Sequence, residues 1–266
     1  DGTKETYTDQ LGYKYFLGLR KSSGKLQWGL SRQVTSSGIY TSDLGFQSIP
    51  NVVNNRIFVD YFQFKPKRIF REGNQSVSMD YSTHYLTKKV TGLQFNYSGF
   101  ASLLDYNAIY GGVGITPIVA LDYNDTRIEG RYAKTLRYYY AYIGISSDYR
   151  KKFAIDLTQN LSNFLDYFKM EGYNTDLTLR YRFSNKLTSK YTFAFYYDPF
   201  NYGFADIDSL EHVIYGGRRL HTYINRLAIN YIIKRDMTIS LIGRHYWNTG
   251  EYRKYFTIEE NGDFTE

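Results

Sequence analysis

The chain has 266 residues, among them 30 Tyr and 18 Phe, and its formal net charge is +7. This length fits one all-β domain, and the aromatic content favours strands. The longest uncharged run, residues 106–121, is shorter than the about 18 apolar residues of a transmembrane helix and contains glycines and a proline. The absence of Cys excludes a disulfide framework and a thiolate metal site. The basic charge permits nucleic acid, anionic headgroups or acidic glycans as neighbours without choosing among them.

The first part of the chain alternates apolar and polar residues, a period of two that predicts strands. Residues 13–34 predict a hairpin with a turn at Ser22-Ser23-Gly24. The opening residues, 1–5, do not resemble a signal sequence, so we expect the chain to begin after processing or within a larger protein. Residues 36–54 predict a long loop, and three further strands are predicted around residues 56–62, 76–85 and 93–98.

The middle of the chain is less regular. Between Asp105 and Asp125 the alternation blurs, and both a strand and a glycine-rich connection stay open there. Residues 127–132 again alternate and predict a strand, a short turn is predicted at Thr135-Leu136, and residues 138–146 predict the next strand.

The clearest alternation runs from Lys151 to Asp198, in three successive segments. In the second segment Leu177, Leu179 and Tyr181 interleave with polar residues. Turns are predicted at residues 184–186 and 235–236, loops at 163–173 and 199–220, and strands at 222–234 and 237–247.

The segments predict an all-β fold, an antiparallel transmembrane β-barrel formed as one domain by residues 1–266. About 12–14 strands of about 9–12 residues have the length needed to cross a bilayer at a tilt, whereas strands of soluble domains are shorter, about 5–6 residues. The apolar rows would face lipid and the charged rows a polar lumen. The residues predicted to face the lumen are Asp156, Asp176, Arg180, Arg182, Lys190, Arg226 and Arg244. Because their charges have both signs, we expect modest ion selectivity at most.

The predicted connections divide into two groups. The long ones, residues 36–54, 163–173 and 199–220, fall at one end of the barrel, and most short turns fall at the other, as in outer-membrane proteins. If residues 105–125 hold no complete strand, they form a long connection at the short-turn end and break this division.

The sequence offers few groups for catalysis. The four histidines are not at metal-ligand spacing, and we interpret them as solvated or interfacial. Asp156 and Asp176 lie on one face of neighbouring predicted strands, but nearby basic residues favour a charge network over a pair of glycosidase acids. Tyrosines at strand ends are typical of interfacial girdles. We therefore assign no catalytic, cofactor-binding or metal-ligating residue, and we expect no cofactor.

Residues 215–264 carry a more specific signal. The order Tyr215-Gly216-Gly217-Arg218-Arg219, then Arg244-His245-Tyr246-Trp247 and Asn261-Gly262-Asp263 resembles the carboxy-terminal barrel of an uncharacterised family of Gram-negative outer-membrane proteins. Residues 43–46, 122–132 and 146–152 resemble further landmarks of that family in the same order. The resemblance implies an amino-terminal module similar to family-nine carbohydrate-binding modules, and further strands after residue 263. We therefore expect an incomplete chain and a full barrel larger than the strands visible here.

These observations lead to three functional hypotheses. The first is a bacterial outer-membrane barrel, acting as a passive pore or as a scaffold in an envelope complex linked to glycan binding or uptake. Its partners would be outer-membrane lipid and lipopolysaccharide, other envelope proteins and glycans, but not nucleic acid, and it would not be an enzyme. The second is a membrane-embedded hydrolase of lipid or glycan, which needs a Ser–His–Asp/Glu cluster at the rim or a carboxylate pair. The third is a soluble glycan- or polyanion-binding β-sandwich, in which two sets of apolar faces pack together.

Overall fold

A computed structural model describes residues 11–39, 50–166 and 171–266, and their regular structure consists of β-strands. The strands are β1 (Lys14–Lys21), β2 (Leu26–Thr35), β3 (Val52–Gln63), β4 (Phe70–His84), β5 (Val90–Leu103), β6 (Ala108–Thr116), β7 (Leu121–Asp122), β8 (Ala133–Lys134), β9 (Tyr138–Ser146), β10 (Phe153–Phe164), β11 (Gly172–Arg182), β12 (Leu187–Ile207), β13 (Val213–Lys234), β14 (Met237–Ile258) and β15 (Phe264–Thr265). The described residues contain no helix long and apolar enough to cross a membrane.

The strands form one antiparallel sheet of 13 strands, a number within the predicted range, and a small pair, β7 and β8. Each strand of the large sheet pairs with the next one in sequence, except that β6 pairs with β9 because β7 and β8 lie in the connection between them. The sheet is open, with β1 at one edge and β14, followed by the two-residue β15, at the other.

The two ends of the sheet have different connections. At one end, which we call the short-turn end, the chain reverses at residues 22–25, 64–69, 104–107, 147–152, 183–186 and 235–236. Gly24 in the first of these turns has a φ of 81°, a left-handed conformation that glycine adopts without strain. The opposite end, which we call the long-loop end, contains residues 117–137, the turns at 85–89, 208–212 and 259–263, and the described residues between β2 and β3 (36–39 and 50–51) and between β10 and β11 (165–166 and 171).

The two faces of the sheet differ in polarity. One face carries the apolar side chains of the alternating rows, and many of them are exposed, for example Leu17 (63%), Ile143 (67%) and Leu241 (64%). The other face carries the polar rows together with glycines and tyrosines. We call these the apolar face and the polar face.

The described residues form one buried apolar cluster, and it lies at the long-loop end. Its buried members are Ala133, Phe200, Val213, Tyr215, Phe256 and Ile258. They come from β8 and from the parts of β12, β13 and β14 that reach toward the long-loop end, and Phe264 of β15 packs against them. We call this group the long-loop-end core.

Several predictions about the connections are wrong, for identifiable reasons. Residues 127–132 are not a strand, because Arg127 and Gly130 have positive φ values of 56° and 78° that interrupt an extended chain. Residues 199–220 are not a loop but the continuation of β12 and β13 around a short turn. Pro199 fits in β12 because it lies at a register shift between Asp198 and Asn201, and such bulges tolerate proline.

The uncertain stretch 105–125 contains a complete strand, β6. As a result, the connection that follows it, residues 117–137, lies at the long-loop end, and the predicted Thr135-Leu136 turn is part of this longer connection. This connection therefore no longer breaks the predicted division, although the turns at 85–89, 208–212 and 259–263 at the same end are also short. Part of two predicted loops, residues 40–49 and 167–170, and the family landmark at 43–46 lie outside the described residues, as do residues 1–10.

Candidate functional site

The charged residues predicted to face a lumen lie together on the polar face. Residues directly opposite each other on neighbouring strands share a face, as do residues two apart along a strand. The registers of the four strand pairs from β10 to β14 therefore place the whole predicted set on one side of the sheet. The set is Asp156, Asp176, Arg180, Arg182, Lys190, Arg226 and Arg244. That this side lines a lumen stays a prediction.

Both acidic residues of this set are engaged by neighbouring side chains. Asp156 accepts hydrogen bonds from the hydroxyls of Ser146 (2.6 Å) and Tyr149, and its other oxygen lies 3.4 Å from Nη2 of Arg180. Asp176 accepts a hydrogen bond of 2.9 Å from the hydroxyl of Tyr196. Each carboxylate thus has a different tyrosine as a hydrogen-bond donor.

Tyrosines and glycines form matched pairs on the polar face of β6 and β9. A Cβ atom at Gly114 would lie 2.2 Å from Cε1 of Tyr140, and one at Gly144 would lie 2.2 Å from Cζ of Tyr110. The hydroxyl of Tyr140 donates to Asn96 Oδ1 (2.8 Å) on β5, and that of Tyr110 is 2.6 Å from Thr158 Oγ1 on β10. The rings therefore lie flat over glycine backbone and cover strand interiors that would otherwise lack side-chain packing.

The connection between β6 and β9, residues 117–137, lies across the polar face at the long-loop end. On one side it reaches the turn between β4 and β5: the ring of Tyr123 stacks on that of His84 with 4.3 Å between centroids. Lys89 in that turn has its Nζ 4.8 Å from the ring centroid of Tyr132.

The same connection reaches β12–β15 on its other side. Asp125 accepts a hydrogen bond from the backbone NH of Phe204 (3.2 Å), and Lys134 forms an ion pair of 2.7 Å with Asp263. Since β4 and β12 are far apart in strand order, one connection can contact both only because the sheet curves around its polar face. The polar face is therefore concave.

A cavity of about 430 Å³ remains between this connection and strands β1–β5. Its lining is rich in hydrogen-bonding side chains: Lys14, Gln33, Asn54, Ser82, Asp122 and Asn124. The connection thus narrows the concave face at the long-loop end without filling it.

A second ordered segment is the turn at residues 147–152, part of a sequence landmark. The carboxylate of Asp148, buried from solvent, accepts hydrogen bonds from the Nε and Nη2 atoms of Arg150, both 2.9 Å, and from its backbone NH at 3.0 Å. These bonds to the Arg150 side chain and backbone lower the pKa of Asp148 to about 2. At the other end of the sheet, hydrogen bonds from Arg137 in the same way lower the pKa of Asp166.

Comparison with known proteins identifies the family of this chain. A family model described as a domain of unknown function, DUF5916, matches residues 2–266. The chain belongs to this family. No curated protein and no solved structure matches the chain. Membership of an uncharacterised family is thereby confirmed, while the outer-membrane origin and the neighbouring carbohydrate-binding module stay predictions.

Two observations on the described residues of the DUF5916 chain concern the hydrolase hypothesis. They contain no cluster of His, Asp and Glu able to hold a metal ion. In the same part of the chain no histidine is hydrogen-bonded to a serine: His84 contacts Thr87 (3.1 Å), His212 contacts Asp208 (2.9 Å) and His245 contacts Asn225 (3.4 Å).

Sequence reasoning missed the most prominent element of the DUF5916 site, the connection between β6 and β9. Periodicity cannot reveal it, because its contacts depend on long-range packing and not on alternation. The available signal was the landmark at residues 122–132, which falls entirely within this connection. Gly216 and Gly217, which belong to the predicted loop 199–220, lie within β13, where the rings of Tyr252 and Phe200 occupy the space a Cβ would need.

Proposed function

We propose that this chain forms the wall of a β-barrel in the bacterial outer membrane and acts as a passive pore for small polar solutes. The observation that carries this proposal is the exposure of the apolar rows on one face of a 13-stranded sheet. In water such a face would be unfavourable over so large an area. Against lipid it is the expected outer surface of a barrel.

Strand length and connection length give independent support. A tilted strand crosses the hydrocarbon with about 9–11 residues. Most long strands of the sheet meet or exceed this length, from 9 residues in β6 to 22 in β14. Short turns at one end and longer connections at the other are typical of outer-membrane barrels, in which the short turns face the periplasm.

The polar face would then line the lumen. It carries charged and hydroxyl side chains, and the connection between β6 and β9 lies across it as a constriction next to the cavity of about 430 Å³. A partly obstructed lumen of this kind favours small solutes and a low conductance.

The membrane location is tested by fractionation and by gel migration. The full-length product is expected in the outer-membrane fraction, and its unheated band is expected to migrate faster than the boiled one, because a folded barrel resists detergent. Recovery of the folded protein in the soluble periplasmic fraction would overturn the proposal.

The pore itself is tested by conductance of the purified protein in planar bilayers. We expect small, ohmic steps. A variant lacking residues 122–132 should conduct more, because these residues form most of the constriction. Folded, membrane-inserted protein that conducts in neither form would contradict the pore.

A scaffold role in an envelope complex is the second candidate, favoured by the long-loop-end core. There β12, β13 and β14, with 21, 22 and 22 residues, extend past the length needed to cross a membrane and form a packed body. Such a body provides a rigid surface outside the bilayer for other envelope proteins or glycans. Co-purification of a defined partner that is lost when this body is altered would support this role, and its absence would contradict it.

A further inference from the structure

Basic residues are concentrated on one part of the polar face. On the regularly paired parts of β10–β14 they outnumber acidic residues: the basic ones are Arg180, Arg182, Lys190, Arg226 and Arg244, and the acidic ones are Asp156, Asp176 and Asp198. On β1–β5 the two signs are balanced, with Lys14, Arg20 and Arg56 on the same face as Asp60, Glu72 and Asp80. An excess of positive charge therefore lies on β10–β14, while the two signs balance on β1–β5.

Two pairs of like charges lie directly opposite each other in this basic region. Arg180 is opposite Lys190, and Arg226 is opposite Arg244. Like charges in directly opposite positions destabilise a sheet. An anion held between them would remove this cost.

Three of these basic side chains, Arg180, Arg182 and Lys190, line a cavity of about 300 Å³ near the short-turn end. It is lined by Lys151, Lys152, Arg180, Arg182, Lys190 and Asn230, among others. Within the described part of the chain, Lys151, Lys152, Arg182 and Lys190 form no ion pair with a carboxylate. Of the basic residues that line the cavity, Arg180 has a carboxylate partner, Asp156, and the other four add hydrogen-bond donors and positive charge.

The arginines at this cavity are held in place. The Arg180 guanidinium lies 4.5 Å from the ring centroid of Tyr149 and contacts Asp156 on one side. Its Nε atom is buried and has no hydrogen-bond acceptor. Arg182 donates from Nη2 to the backbone carbonyl of Tyr149 at 3.3 Å. Tyr149 thus positions both guanidinium groups beside the cavity, one of them with a donor unused.

We propose that this cavity is a binding site for a phosphate-type oxyanion, either inorganic phosphate or the phosphate group of an organic solute. Planar guanidinium groups match the oxygen geometry of phosphate with paired hydrogen bonds, and lysine ammonium groups add charge. The inference rests on the proposed function in one respect, since the polar face must line a water-filled lumen for such a solute to arrive. The site then lies at the periplasmic side, where it favours anions over cations in passage.

Binding is tested by titrating inorganic phosphate, and separately glycerol 1-phosphate, into the purified full chain in detergent micelles at low ionic strength. Calorimetry is expected to show saturable binding to one site that weakens as NaCl is added. The double variant Arg182→Gln/Lys190→Gln should bind at least about tenfold more weakly. The control variant Arg20→Gln/Lys67→Gln removes the same charge at the same end of the sheet but outside the cavity, and it should bind as the wild type does.

The possible outcomes distinguish failure of the anion-site proposal from failure of the pore proposal. If heat-modifiable, folded protein binds neither phosphate nor the ester, or if both double variants weaken binding equally, the site is wrong whatever the conductance shows. Binding without conductance supports the site and contradicts the pore. In conducting protein, the reversal potential in a KCl gradient should indicate anion preference, and Arg182→Gln/Lys190→Gln should reduce it. A wild-type preference for cations would overturn the inference.

Binding of phosphate but not of the ester would identify the free ion as the ligand. Binding of both would extend the ligand class to phosphorylated solutes. Vesicles containing phosphatidylglycerol serve as a third probe. Competition by these vesicles at the same residues would overturn the inference, because it would place the cluster on a lipid-accessible surface and not on the polar face.

Discussion

Strands β12, β13 and β14 place apolar side chains in two different surroundings along one length. Toward the short-turn end, Leu227 of β13 and Leu241 of β14 are exposed on the apolar face. Toward the long-loop end, Tyr215 of β13 and Phe256 of β14 are buried in the long-loop-end core. The same strands thus carry an exposed apolar row in one half and a buried apolar core in the other.

The largest effect is expected in the long-loop-end core. Phe256→Ala should lower the free energy of unfolding by about 3–5 kcal/mol, because a buried aromatic side chain is lost and a cavity remains. Leu241→Ala on the same strand should cost clearly less. Denaturant unfolding in phospholipid vesicles, followed by the fluorescence of Trp28 and Trp247, measures both. Equal losses would remove the distinction between the two halves.

A charge placed on each face in turn tests the proposal that the apolar face contacts lipid. Val77 is exposed on the apolar face, while its neighbour Ser76 lies on the polar face opposite Asp60. Val77→Arg should destabilise the folded protein in vesicles by about 2–4 kcal/mol, the cost of a cation near the bilayer midplane. Ser76→Arg should cost far less, since a cation there gains a carboxylate neighbour. If Ser76→Arg is the more harmful change, the faces are assigned the wrong way round.

The glycine–tyrosine pairs of β6 and β9 are a third kind of packing, which differs from both the exposed half and the buried half of β12–β14. Gly114→Ala should cost about 1–3 kcal/mol, because the added Cβ overlaps the ring of Tyr140 and must displace it. In the double variant Gly114→Ala/Tyr140→Ala the loss of stability should be smaller than the sum of the losses in the two single variants, because the added Cβ no longer meets a ring. The four unfolding free energies form a double-mutant cycle, and strict additivity would show that ring and glycine do not interact.

The smallest effect concerns the turn at residues 147–152, outside both halves. The pKa of Asp148 is about 2, against an ordinary value near about 3.9. Because the folded-state pKa is depressed, the stabilisation from this carboxylate is complete above about pH 4 and is lost as the pH falls through about 2. NMR titration of the Asp148 carboxyl carbon should give this low midpoint, and Arg150→Gln should raise it. A wild-type midpoint near 4 would mean that the Arg150 hydrogen bonds do not form.

Alternation along the chain predicted the strands where one face is apolar and the other polar. The turns at Ser22-Ser23-Gly24 and Arg235-Asp236 lie where expected, and the charged set from Asp156 to Arg244 lies on one face as predicted. This success has a local cause, because side-chain direction in a strand depends only on a period of two.

Prediction from periodicity failed where the side chains of a strand do not show which face is polar and which is apolar. In β6 the polar face is formed in part by Gly112 and Gly114. Glycine is neither polar nor apolar enough to show alternation, and the rings that cover these two glycines belong to residues of β9. In β12 a bulge accommodates Pro199, which reads as a strand breaker in isolation. The balance of charges across the face, on which the anion site depends, follows from strand register and not from the number of charges in the sequence.

The meander order of the sheet has a consequence for assembly. With the exception of β6 and β9, each long strand pairs with its sequence neighbour, so almost every pairing closes a short loop and costs little chain entropy. In the proposed barrel, hairpins can therefore be added one after another as the apolar face enters the bilayer. The β6–β9 pairing closes a longer segment, and the segment it closes is the connection that lies across the polar face. When β6 and β9 pair, the connection between them is therefore positioned at the polar face at the same time as the strands on either side of it.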